Sequence, residues 1–206
     1  MNNIKHKYNK LCKTKSDINE HLPTLFKYAS NCESVIECGV RRCVSSWALA
    51  YGLMSNGKSN NKLILNDIEE CDVKEFLSET NNSKLSVILE WCSNIDLILN
   101  EEVDMVFIDT WHVYGQLKRE LAKFKHTKKY IIMHDTQTYG IYGESVRNKH
   151  DVLEKMNLFG MTEYEVTTGL QPAIDEFLGD NPNWNVCEVF TNNNGLTVLK
   201  KSDESI

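Results

Sequence analysis

Five short β-rich apolar runs, at 34–39, 62–67, 85–91, 104–109 and 130–135, alternate with segments of helical character, and each carries an acid at or near the C-terminal end. That rhythm restricts the fold to an α/β architecture, because parallel strands must be joined by crossovers and the crossovers cover the faces of the sheet. The intervening stretches at 44–55, 72–80 and 114–124 supply such crossovers, with Leu117, Leu121 and Phe124 at helical spacing in the last. Around 94–100 only a short turn is expected. Residues 17–30 read as a helix with a break near Pro23, a residue tolerated only in a first turn, and 145–159 and 170–178 as further helices. The runs 184–190 and 196–200 flank Asn192-Asn193-Asn194-Gly195, whose positive-φ preference predicts a tight turn and an antiparallel C-terminal hairpin. The expected fold is a Rossmann-like, doubly wound sheet, mostly parallel, in one domain over 1–206. Residues 1–30 would form a helical cap, and 138–183 the region contacting an acceptor.

Composition narrows the partners. A net charge of −6 offers no general attraction to phosphate backbones or anionic lipid, so nucleic acid and membrane are disfavoured partners. The amino-terminal stretch is polar and basic, and no run of 18 apolar residues occurs, which points to a soluble cytoplasmic protein. Seven cysteines without a CxxC pair read as reduced thiols, several of them packing as small hydrophobes. The sequence is compatible with a homo-oligomer and does not set the oligomeric state.

The chemistry gathers at the strand ends. The first run leads through Glu37-Cys38-Gly39 into a helix opened by Ser45 and Ser46, the place where open α/β sheets bind nucleotides. Two of the three glycines of a dinucleotide fingerprint are missing, so a diphosphate is poorly served, whereas a carboxylate suits a ligand with a cationic amino group. Asp67 ends the second run next door, where ribose hydroxyls can donate to it. Ser93 and Asn94 follow the third run and suit an adenine edge. Asp109 ends the fourth and His134-Asp135 the fifth; neighbouring strands lie about 4.8 Å apart, so these groups can converge on one divalent cation or one substrate hydroxyl. His6, His21, His126 and His150 read as surface residues. Arg41-Arg42 either orients a carboxylate or faces solvent.

This series resembles the class I S-adenosylmethionine (SAM) methyltransferases. Glu37-x-Gly39 is similar to the family's first motif and Asp67 to its ribose-binding acid, while the stretch from Asp104 to Trp111 resembles the metal-dependent catechol O-methyltransferase type and the cephalosporin-hydroxylase-like group. Ile108-Asp109-x-x-His112-x-Tyr114 and Met133-His134-Asp135-Thr136 look like a group of small methyltransferases associated with glycan biosynthesis. The resemblance covers roughly 31–200 and implies seven strands in the order 3-2-1-4-5-7-6. It implies a SAM site built from Glu37, Gly39, Ser45, Asp67, Ser93, Asn94, Asp109 and Trp111, with Trp111 against the adenine ring. Asp109 and Asp135 become the acids that face a magnesium or manganese ion or the substrate. Three positions depart from the pattern: Cys43 stands where many relatives have glycine, His134-Asp135 replaces an acid followed by an acid or amide, and His112 takes the place of a catalytic lysine.

The reading that follows is an O-methyltransferase acting on a hydroxyl of a sugar or glycan, with Asp109, His112, His134 and Asp135 sharing the proton and charge work. A histidine can take the acceptor's proton near neutral pH, and a divalent ion can lower the hydroxyl pKa; the residues alone do not choose between them. Competing readings are a non-catalytic SAM- or partner-binding domain, a catechol-type enzyme of small molecules, and a hydroxylase of the cephalosporin group.

Overall fold

The computed structural model describes residues 2–80 and 84–202. Its centre is a seven-stranded sheet: β1 (Ser34–Cys38), β2 (Asn61–Asp67), β3 (Leu85–Trp91), β4 (Met105–Ile108), β5 (Tyr130–His134), β6 (Trp184–Phe190) and β7 (Leu196–Lys201). The spatial order is β3-β2-β1-β4-β5-β7-β6, parallel except where β7 pairs with β5 and β6. Both the order and the antiparallel hairpin match the expectation from sequence.

Side-chain alternation divides the core into two layers. On β1 and β4, Val35, Met105 and Phe107 enter one layer, and Ile36, Val106 and Ile108 enter the other. This is the period of two that a strand buried on both faces requires. The first layer is covered by α1 (Asn2–Lys13), α2 (Leu22–Ala29), α3 (Val44–Ser55) and α4 (Lys74–Thr80); the second by α5 (Tyr114–Phe124) and α9 (Gln171–Asp180). Helix α3 is enclosed on most of its circumference because α2 packs over it. Gly52 permits that approach, since a Cβ there would lie 2.7 Å from the Ala29 Cβ.

The expected helices at 44–55 and 114–124 have the anticipated bounds, and no helix separates β3 from β4. The 17–30 stretch breaks near Pro23 as expected, into a 3-10 turn (Asn19–His21) and α2, with Pro23 in the first turn, where its missing N–H costs nothing. Two segments differ. The 145–159 stretch divides into α6 (Glu144–Arg147) and α7 (Val152–Phe159), because Lys149 takes positive φ and Asp151 starts a new helix by accepting from the Glu154 N–H. A short helix α8 (Glu163–Thr167) occupies a stretch with no apolar period; a capping box between Thr162 and Glu165 specifies it. Among the described residues no helix is long and apolar enough to cross a membrane. The cysteines that read as thiols are all free.

Candidate active site

The carboxyl ends of β1, β2, β4 and β5 open into a cleft of about 700 Å³, where the reversal of strand order between β1 and β4 leaves room for a ligand. Gly39, Asp67, Ser93, Asn94, Asp109, Trp111, His112 and Asp135 line it together. Gly39 is obligatory at its position. It has a φ of +94°, and a Cβ there would stand 2.0 Å from the Asp109 carbonyl oxygen, so the ends of β1 and β4 meet only because no side chain intervenes. Cys43, where the resemblance leads one to expect glycine, takes the left-handed conformation with a φ of 57°.

Glu37 and Ser45 lie beneath this floor rather than on it. Glu37 is fully enclosed and accepts hydrogen bonds from the Ser45 hydroxyl and, at 2.6 Å, from the Ser46 hydroxyl. Burial pushes its carboxyl up to about 8 despite those two bonds. Glu37 thus ties the start of α3 to the end of β1, while Ser45 borders a neighbouring cavity of about 330 Å³ with Arg41 and Asp17. Asp67 does two things at once: it faces the cleft, and its Oδ2 accepts from the Val40 and Arg41 N–H groups at 2.8 and 3.1 Å. Burial opposes its charge, but the backbone bonds from Arg41, Glu69 and Val40 outweigh it and hold the carboxyl below its usual value.

The other half of the site is a compact charge cluster. His112 Nε2 lies 3.2 Å from Asp109 Oδ1 and 3.0 Å from Asp135 Oδ2, and its Nδ1 lies 2.9 Å from Glu144 Oε2. Both ring nitrogens therefore face carboxylates, which requires the doubly protonated imidazolium. Burial works against that charge, yet the bonds to Asp109 and Glu144 and the nearby Asp135 lift the ring to about 10. Tyr139 stacks on the ring with centroids 4.9 Å apart.

Behind it, His134 is almost wholly enclosed. Its Nε2 lies 3.2 Å from the Asn193 carbonyl, which can only accept, so Nε2 carries a proton and Nδ1 turns toward Asp109 Oδ1 at 3.2 Å. Asp109 is held well below its ordinary range: burial resists ionisation, but His112 and His134 prevail. Asp135 is the opposite case, raised chiefly by burial. Its backbone is left-handed with a φ of 60°, and its buried Oδ1 has no hydrogen-bond partner among the described residues. An uncommitted oxygen on a strained, cleft-lining residue is a feature that functional sites retain.

One ligand atom each from Asp109, His134 and Asp135 lies within 4.8 Å of the others, a set able to surround a divalent ion. The donors fit: two carboxylates supply charge, the unpartnered Asp135 oxygen is free to coordinate, and the imidazole nitrogen favours manganese over magnesium.

Thr138, Tyr139, Glu144 and Asn148, within the 138–183 stretch expected to contact an acceptor, reach the cleft from loops and short helices without a periodic signal, and Asn194, outside that stretch, joins them. His21, read as a surface residue, is fully enclosed: its Nε2 contacts the Asn192 and Asn193 carbonyls at 3.0 and 3.1 Å, and its ring meets that of His134 edge-on. Its polar neighbours in sequence concealed this, because the contacts that bury it come from the distant β6–β7 turn.

Neither a family model nor a curated protein matches this sequence. Solved structures do match. The SAH-bound methyltransferase PaMTH1 of Podospora anserina superposes with a TM-score of 0.59 at 12% identity, covering 97% of this chain and 88% of that one. The O-methyltransferase TomG of Streptomyces achromogenes, solved with SAM, gives 0.57 at 15% identity, covering 92% and 82%. A Burkholderia thailandensis N1-methyltransferase with bound 1,6-didemethyltoxoflavin and SAH gives 0.55 at 12% identity, covering 96% and 84%. The chain has the fold shared by these methyltransferases.

Proposed function

We propose that the protein is a SAM-dependent O-methyltransferase whose acceptor is a hydroxyl of a sugar or glycan. The observation that carries the reading is the cluster of Asp109, His112 and Asp135 in the same cleft as Gly39 and Asp67, in a fold whose neighbours include structures solved with SAM or SAH. Gly39 lets the cofactor approach the backbone, Asp67 takes the ribose hydroxyls, Ser93 and Asn94 take the adenine edge, and Trp111 covers its ring. Glu37 and Ser45 contribute as the brace under this loop.

Methyl transfer is an in-line displacement: the acceptor oxygen bonds to the methyl carbon, the carbon–sulfur bond breaks, and the hydroxyl proton must leave. His112 already carries both protons between three carboxylates, so it donates hydrogen bonds and steadies charge rather than accepting the proton. Asp135 Oδ1 is the unpartnered acceptor, and we assign it the base. Asp109 and His134 orient that pair. Were a manganese or magnesium ion bound, Asp109, His134 and Asp135 would hold it, the Asp135 oxygen would then be a ligand instead of the base, and the ion would lower the pKa of a coordinated hydroxyl.

The sugar assignment draws on the cleft lining around the charge cluster. Thr138, Asn148, Asn194 and Glu144 supply hydrogen-bonding groups, and the Tyr139 ring, stacked on His112, supplies an apolar face. A polyhydroxylated ring needs both. A transfer screen with labelled SAM against sugars, nucleotide sugars and catechols, with and without manganese or magnesium, tests acceptor class and metal need together. Label transferred to catechols alone refutes the sugar acceptor. Absence of SAM and SAH binding by calorimetry refutes the whole reading.

A further inference from the structure

Glu120 on α5 is a fully enclosed acid that borders the same small internal space as His112 and His134, and the mechanism above gives it no part. Three side chains donate to its Oε1: Asn94 Nδ2 at 2.5 Å, Thr110 Oγ1 at 2.7 Å and Gln116 Nε2 at 2.8 Å. All three donors line the cleft, and Glu120 itself does not. Its second oxygen, Oε2, has no hydrogen-bond partner among the described residues.

The polarity of this arrangement has a consequence for the ligand. A carboxyl oxygen that receives three bonds is an acceptor, so Asn94 and Gln116 must turn their NH2 ends inward. Flipping either amide would set a carbonyl oxygen against Glu120 Oε1. Asn94 Oδ1, which accepts from Gln116 Nε2 at 3.4 Å, and Gln116 Oε1 are thereby turned away from Glu120, on two residues that line the cleft. An amide free to rotate could present either end; here the choice is made from below.

We infer that Glu120 is a positioning residue that presets an acceptor face on the cleft wall, selecting a purine with a 6-amino group over one with a 6-oxo group. The inference rests on the SAM reading above. A 6-amino group donates to Asn94 Oδ1 and Gln116 Oε1, whereas a 6-oxo group would bring a third oxygen to the same place. Leaving such groups unpaired on a buried wall is what makes polar sites discriminate.

Calorimetry with S-adenosylhomocysteine and its deaminated analogue S-inosylhomocysteine tests this. The wild-type protein should prefer the adenosyl ligand by about tenfold or more. Glu120→Leu and Glu120→Met, which keep the volume but remove the acceptor, should bring the ratio toward one, mainly through loss of adenosyl affinity. Glu120→Gln, retaining one carbonyl oxygen, should restore part of the preference. A merely structural role for Glu120 would weaken both ligands equally. Equal affinities in the wild type, or an unchanged ratio in either folded apolar variant, overturn the inference and leave the SAM reading standing. Failure of the wild type to bind either ligand overturns both.

Discussion

At the scale of single residues, the site is organised by which groups are already committed. His112 has both nitrogens engaged, Asp109 is shared between two rings, and Asp135 keeps one oxygen free. Asp135→Asn should therefore lower kcat by about 10²- to 10⁴-fold, the usual contribution of a positioned base, while the dissociation constant for SAH moves little; single-turnover assays beside calorimetry read both. In a non-catalytic SAM-binding domain the same change would be silent. Glu37 makes a different prediction. Its folded pKa of about 8 stands above the ordinary 4.5, so between those values the folded chain holds a proton that the unfolded chain releases. Stability should accordingly be fullest near pH 4.5 and fall as pH rises toward 8, as far as this group is concerned. Glu37→Gln should flatten that slope in urea titrations across the same range. Gly39 and Asp67 were legible in sequence because a turn glycine and a strand-end acid are local signals. The burial of Glu37 was not, since it depends on two serines eight and nine residues later closing over it.

At the scale of elements, the β6–β7 turn does more than reverse the chain. Asn193 and Asn194 take positive φ. The Asn193 side chain bonds the Glu20 N–H and the Ser16 carbonyl, and its own carbonyl meets both His21 and His134. The Asn194 carbonyl accepts from the Gln137 and Thr138 N–H groups, fixing the loop that follows Asp135. Asn193→Ala removes two hydrogen bonds and leaves a β-carbon residue at a φ of 45°. It should cost about 1–3 kcal/mol in urea unfolding and reduce turnover more than SAM affinity. The hairpin itself was readable from Asn-Gly chemistry. Its role in anchoring His134 was not, because Asn193 lies 59 residues further along the chain and is itself held by the segment around Glu20, 173 residues before it. Helices α7 and α8 show the same limit: α7 encloses none of its residues, so no apolar stripe announces its start, and caps rather than periodicity define both.

At the scale of the whole molecule, the cleft is a product of topology. Strand order reverses between β1 and β4, crossovers lie on both faces, and the loops of that edge are left to receive a ligand. A ligand that binds only the folded state stabilises it by mass action, so SAH at a hundred times its dissociation constant should add about 2.7 kcal/mol. For a chain of this size that corresponds to a melting shift of roughly 5–10 °C by calorimetry. The sequence by itself determined the strand and crossover pattern, the parallel sheet with its closing hairpin, and the row of acids at one sheet edge. Each of these follows from local periodicity, β-propensity and turn chemistry. Only the tertiary structure decided that Glu37 is sealed under the floor, that His112 is locked between three carboxylates, that His21 supports the site from behind, and that Glu120 turns two amides. Those outcomes depend on distances between residues far apart in sequence, and burial and charge act through such distances.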